Sequence, residues 1–289
     1  MSVQLSYSSS NLLLGCEQRY SHYKVMSTSK DIDFEENYKA FNIGKAFHWI
    51  LEVSEHRKPE SISSLLGTAR VDFDLEDSDV ALVHAMVLKY LRGTKGDGLS
   101  VVKCEYKIDH PEIIGFIDLI SKYDDGRWLI ADLKTSAAVY PTTVKKLALD
   151  RQLSLYAYFA PEIAKVYGLD MDKFLGCAYR VTTKPRLKQK RDETYNEYVL
   201  RLADRANFHD FRIPIELMRP QAAFDTHMRL HKRALELHAG EEPLKNYNYC
   251  DSYFRPCEYW SHCHGKCFSE VEIEDHAFRE TLPIPDELN

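Results

Sequence analysis

No apolar run in the sequence approaches the ~20 residues of a membrane span, and the start, Met1 to Ser10, has neither the charged nor the apolar part of a secretory signal. A soluble, intracellular protein is expected. There is no internal repeat and no long Pro-, Gly- or Ser-rich linker, and Gly and Pro fill only 12 and 11 of 289 positions. Collagen-like, low-complexity and wholly disordered chains are thereby excluded. Positive charge is not in excess: 38 Lys and Arg against 44 Asp and Glu give a net charge of −6. That argues against a surface that binds nucleic acid everywhere but leaves room for a local basic cleft. Cysteine is plentiful, at seven. An odd count in a reducing compartment points to free thiols or metal ligands rather than disulfides.

Apolar residues at 44% and charged residues at 28% describe an ordinary globular chain. Ser8 to Ser10 precede Leu12, Leu13, Cys16 and Tyr20 at helix-like spacing, with an N-cap in place. Ile43, Phe47, Ile50 and Leu51 mark the apolar face of a helix over 36–57, and another helix is read over 78–91. Strands follow over 100–108, 113–121 and 127–133, then a helix over 143–160, strands over 174–181 and 197–202, and a long helix over 221–238. The expected fold is an α/β domain with a mixed sheet. Its expected parts are a helical region 1–98, a core 99–245 and a cysteine-rich region 246–289, forming one compact domain.

The informative stretch is Gly115-Phe116-Ile117-Asp118-Leu119-Ile120 followed by Trp128-Leu129-Ile130-Ala131-Asp132-Leu133-Lys134. Strand alternation puts Asp132 and Lys134 on one face. A three-residue loop, Asp124-Asp125-Gly126, sets Asp118 directly opposite Asp132, with Gly126 where a left-handed residue is wanted. A two-residue turn would put the acids on opposite faces. Carboxylates about 5 Å apart repel by about 3 kcal/mol at an effective dielectric near 20. A divalent cation such as Mg²⁺ or Mn²⁺ reverses that sign, and Lys134 could orient a water or offset phosphate charge. The plainer reading puts both acids in solvent at strand ends, with Lys134 paired to one of them. Gln152 and Tyr156 share a helix face at four-residue spacing. His48 stands on a helix beside the apolar stripe. Arg180, Lys184, Arg186, Lys188, Lys190 and Arg191 form a basic run, read either as phosphate contacts or as a solvated hairpin tip.

Cys250, Cys257, Cys263 and Cys267 are dense and flanked by turn-forming residues. They could form a zinc site, with His262 or His264, or give three ligands to an iron–sulfur cluster with Cys16 as the distant fourth. Spacing does not choose between zinc and iron. Cys104 and Cys177 read as small core residues.

Taken together these segments resemble the PD-(D/E)XK nuclease superfamily, and more narrowly the RecB- and AddB-like and CRISPR-associated exonucleases with a four-cysteine cluster, including phage-encoded relatives. The opening Ser-Ser-Ser-Asn-Leu-Leu-Leu-Gly-Cys16 segment, Gly44-Lys-Ala-Phe-His48, Gly115-Phe-Ile-Asp118, Asp132-Leu-Lys134, Gln152-Leu-Ser-Leu-Tyr156 and the terminal cysteines fall in that family's order. One departure is the six residues between Cys250 and Cys257, where the family often has two. The resemblance implies a restriction-endonuclease-like core and a divalent metal held by His48, Asp118, Asp132 and the Leu133 carbonyl. It gives Lys134, Gln152 and Tyr156 catalytic or supporting roles. It also implies a [4Fe-4S] cluster on Cys16, Cys250, Cys257 and Cys263, with Cys267 as a substitute for Cys250. Lys184, Arg186, Lys188, Lys190 and Arg191 would contact DNA. The implied activity is a DNA exonuclease of recombination or repair in the cytoplasm of a bacterial or phage-infected cell, with a recombination or CRISPR-adaptation protein as a partner. The competing expectations are a catalytically idle DNA-binding module and a zinc-stabilised nuclease.

Overall fold

The computed structural model describes residues 3–28, 35–56, 62–140, 147, 150–252 and 255–265. In chain order its main elements are β1 (Leu5–Ser6), α1 (Tyr7–Gly15), α2 (Glu17–Tyr20), α3 (Glu35–His56), α4 (Ile62–Asp72), α5 (Asp77–Thr94), β2 (Leu99–Lys107), β3 (Ile113–Ile114), β4 (Phe116–Tyr123) and β5 (Trp128–Ser136). They continue with α6 (Arg151–Tyr158), α7 (Ala160–Tyr167), β6 (Phe174–Thr183), α8 (Tyr195–Arg205), β7 (Phe208–Pro214) and α9 (Pro220–His238). Two short strands, β8 (Asp251–Ser252) and β9 (Arg255–Pro256), precede α10 (Trp260–His264). Among the described residues no helix is long and apolar enough to cross a membrane. The chain divides into two compact units, one of residues 1–10 and 34–235, the other of 11–33 and 236–289.

The larger unit is built on a five-stranded sheet of order β2-β4-β5-β6-β7. The β5–β6 pair is parallel and the other pairs are antiparallel, so the sheet is mixed, as expected. Ile120, Trp128, Ile130 and Val181 pack with Leu153 and Ile163 of α6 and α7 in one core layer. Leu133 joins Ile43, Phe47 and Ile50 of α3 and Met86 of α5 in another. Helices thus cover both faces, which is why β5 runs buried from Trp128 to Leu133 without polar alternation. Cys104 and Cys177 are buried in the sheet's packing.

One expected strand is a helix. Residues 197–202 lie in α8, where Thr194 and Glu197 form a reciprocal capping box. Tyr198, Val199, Leu202 and Ala203 then fall on one helical face and pack on Ala81 and Ala85 of α5. Local β-propensity was overridden by a cap and a 3.6-residue period. Residues 143–146, 148 and 149, at the start of the helix expected over 143–160, lie outside the described residues, as does Cys267.

Candidate active site

The β4–β5 hairpin closes through Asp124-Asp125-Gly126. Tyr123 N donates to Arg127 O at 2.7 Å and Gly126 N to Tyr123 O at 2.9 Å, with Gly126 at φ +85°. The paired residues run from Lys122↔Trp128 to Leu119↔Ala131, and one further step sets Asp118 opposite Asp132. The sheet ladder stops there. The next donor, Leu133 N, goes at 2.6 Å to Asp118 Oδ2 instead of to a β4 carbonyl. A side chain has taken over a ladder bond, so the strands part where the two acids face each other.

Asp132 is 2% exposed. Burial, and then the charge of Asp118, raise its carboxyl above the usual range, against the pull of Lys134 and His48. Its Oδ1 accepts from Gln152 Nε2 at 3.0 Å. Its Oδ2 forms an ion pair with Lys134 Nζ at 2.6 Å. Burial works against the charge on Lys134, but Asp132 and Asp118 prevail and its pKa rises. His48, on α3, places Nδ1 3.6 Å from Asp118 Oδ2. There too desolvation is outweighed by Asp118, and the imidazole holds its proton more tightly.

α6 begins at Asp150, whose carboxylate accepts from the backbone N of Gln152 and Leu153. That cap fixes Gln152 over the site. Gln152 Nε2 also donates to Tyr156 Oη at 2.8 Å, Tyr156 Oη donates to Phe116 O at 2.9 Å, and Tyr179 Oη donates to Gln152 Oε1 at 3.4 Å. Amide and phenol thereby brace Asp132 against β4 and β6. Tyr179 was not among the residues expected from sequence. Nor was Glu105, which follows a register skip between Val101 and Lys103 and has φ +46°, a conformation few side chains adopt. Burial, then Asp118 and Glu52, push its carboxyl up to about 7. An isolated carboxylate between Cys104 and Tyr106 was the one sequence signal for it.

A model of the PD-(D/E)XK nuclease superfamily matches residues 4–264. The chain belongs to the PD-(D/E)XK nuclease superfamily. It is therefore a nuclease, and members of this superfamily act on DNA and typically use Mg²⁺ or Mn²⁺. No curated protein sequence matches it. Six chains of solved structures match, among them the crystal structure of SSO0001, at 14% identity over 89% of this chain and 95% of that one, with a TM-score of 0.29. A likeness that low carries no argument.

Among the described residues, no three His, Cys, Asp or Glu side chains stand as a ready metal cage. The donor chemistry nevertheless fits a hard divalent ion. The charge of Asp118 opposes ionisation of the buried Asp132, which Lys134 offsets at 2.6 Å, and oxygen donors of this kind suit a hard cation. Of the expected DNA contacts, Lys184 and Arg186 line cavities beside the site, whereas Lys188, Lys190 and Arg191 line neither of these. Arg180 is removed from that role. It is 3% exposed and ion-paired to Asp97 at 3.2 Å.

In the smaller unit, Cys16 is buried and Cys250, Cys257 and Cys263 are half-buried free thiols. The two ends of this unit are joined by Asn246 Nδ2 to Gly15 O at 2.9 Å and by the Arg19–Glu258 ion pair at 2.9 Å. A Cβ on Gly15 would stand 2.9 Å from the Tyr249 ring, so the close approach needs glycine. Burial, then Cys257 and Cys16, push the Cys263 thiol up to about 11, and burial followed by Cys16 raises Cys250. Cys250, Cys257 and Cys263 thus each have another cysteine near enough to oppose their ionisation.

Proposed function

We propose that this nuclease is a Mg²⁺- or Mn²⁺-dependent deoxyribonuclease that degrades DNA from its ends, serving end processing, recombination or repair. The reading is carried by the meeting of Asp118, Asp132 and Lys134 where β4 and β5 part. Asp118, Asp132, His48 and the Leu133 carbonyl would hold the cation, which when bound offsets phosphate charge and acidifies water. The chain's own groups do the rest. Lys134 Nζ, kept protonated by Asp132, orients the attacking water and faces charge building on the phosphate. Gln152 and Tyr156 keep the Asp132 carboxylate from rotating away. The exonuclease form follows the ordered motif resemblance, as does a [4Fe-4S] cluster on Cys16, Cys250, Cys257 and Cys263. Four cysteines in one compact unit, three of them with ionisation opposed by a neighbouring cysteine, suit such a soft site.

The test is product analysis of end-labelled linear DNA, with Mn²⁺, with Mg²⁺ and with a chelator. Release of mono- or short oligonucleotides from the ends, abolished by the chelator, is expected. No hydrolysis with either cation would overturn the proposal, and internal cuts on closed circular DNA would overturn its exonuclease part.

A further inference from the structure

Helix α6 has a second polar face, turned away from the carboxylates. At 3.6 residues per turn, Arg151 and Ser154 centre about 150° round the helix from Gln152 and Tyr156, the pair that braces Asp132. Arg151 and Ser154 line a cavity of about 250 Å³. They share it with Arg219, which immediately precedes α9, and with Ala222 and Thr226 of the first turns of that helix. The two segments are tied there, Arg219 N donating to Ser154 Oγ at 3.4 Å.

Two guanidinium groups thus open into one cavity, and among the described residues that line it none is acidic. Each is anchored by neutral groups. Arg151 Nη2 donates to Ser10 Oγ at 2.8 Å, and its guanidinium stands 5.3 Å from the Tyr7 ring centroid. Arg219 Nη1 donates to the carbonyls of Met218 at 2.8 Å and Glu216 at 3.3 Å. The acid beside Arg151 in the chain, Asp150, is committed as the α6 cap, accepting from the backbone N of Gln152 and Leu153. Burial works against the charge on Arg151 and lowers its pKa, a cost that a bound anion would offset. Two anchored guanidinium forks suit a dianion that accepts on several oxygens, and a phosphate monoester carries about −1.5 to −2 at pH 7. The dipole of α9 adds to the same preference. Size sets the limit. At about 250 Å³ the cavity falls below the ~300–1,000 Å³ of sites that enclose a drug-sized ligand, so it takes a phosphate group and leaves the rest of a larger ligand outside.

We propose that this cavity is a binding site for the phosphate group of a small phosphate monoester or of inorganic phosphate, gripped between Arg151 and Arg219. It needs neither a cation nor DNA, so it stands apart from the nuclease proposal above. Its ligand rests on the first turn of α6, the turn that also carries Gln152.

The test is isothermal titration calorimetry of the full chain in a chelator, at constant ionic strength, with inorganic phosphate, thymidine monophosphate and thymidine. Millimolar or tighter binding of the two phosphates, and none of thymidine, is expected. Tighter binding of the monophosphate would identify an ester as the ligand, and equal binding the free ion. Arg219→Gln, which changes an exposed side chain, and Arg151→Gln are each expected to weaken binding about 10- to 150-fold, the range for one charge-assisted hydrogen bond. Lys134→Ala is expected to leave it unchanged. Three results would overturn the proposal. One is undetectable binding of both small phosphates, even if a 5′-phosphorylated oligonucleotide binds. Another is wild-type affinity in Arg219→Gln, shown to be folded by its melting curve. The third is loss of binding in Lys134→Ala, which would move the ion to the carboxylate site. DNA hydrolysis is read in none of these, so the nuclease proposal stands or falls separately.

Discussion

Asp132 carries an electrostatic cost in the site. It is a carboxylate closed in by apolar layers, faced by a second acid across the hairpin and offset by one ammonium. Burial raises its pKa and that of Glu105, which reaches about 7, and Asp118 outweighs burial to raise that of His48. All three groups hold protons more tightly folded than unfolded. Between the unfolded carboxylate range near pH 4 and about pH 7 these groups therefore bind more protons in the native state and their share of stability falls as pH rises, opposed below about pH 6.5 by His227, which burial lowers to about 4. The melting temperature of the metal-free protein in a chelator should be lower at about pH 8 than at about pH 5, with Asp132→Asn flattening the difference. A melting temperature that rises over that window would show these groups to be ionised at no cost. A divalent cation should restore stability at the higher pH by binding only the folded arrangement.

At the scale of elements, the hairpin decides whether there is a site at all. Its three-residue loop fixes the register, and a slip of one residue would turn Asp132 to the opposite face. Gly126→Ala forces a Cβ into φ +85° and should cost about 1–2 kcal/mol, seen as a melting temperature lower by about 2–8 °C, without change in the DNA products. No measurable destabilisation would mean that the turn adopts another form. This element was legible because a two-residue side-chain period, a Gly-bearing turn and two acids in apolar strands agree. α8 was not, since Tyr198, Val199 and Leu202 suit a strand locally, although Thr194 and Glu197 already spelled a capping box. Glu105 lies beyond local reading because its place depends on a register skip against β4.

At the scale of the molecule, the chain divides unevenly. The unit with the candidate site takes residues 1–10 and 34–235, and the smaller unit gathers residues 11–33 with the stretch from 236 onward. Cys16 and Cys250 are more than two hundred positions apart, so a group bridging them would close a very long loop and restrict the unfolded chain accordingly. Such a link is implied by the motif order, whereas hydrophobic periodicity gives no hint of it. Anaerobically purified protein should contain iron and acid-labile sulfide, and Cys16→Ala should lose most of both, with a lowered melting temperature. One zinc per chain, unaffected by that change, would replace the cluster with a zinc site. The central claim, however, lies at the parted strands, and the most direct measurement is the rate of linear DNA hydrolysis with saturating Mn²⁺ by wild type, Asp132→Ala and Lys134→Ala, each shown to be folded by its melting curve. The account predicts a loss of about 100-fold or more in both variants; hydrolysis at the wild-type rate by either folded variant would contradict it.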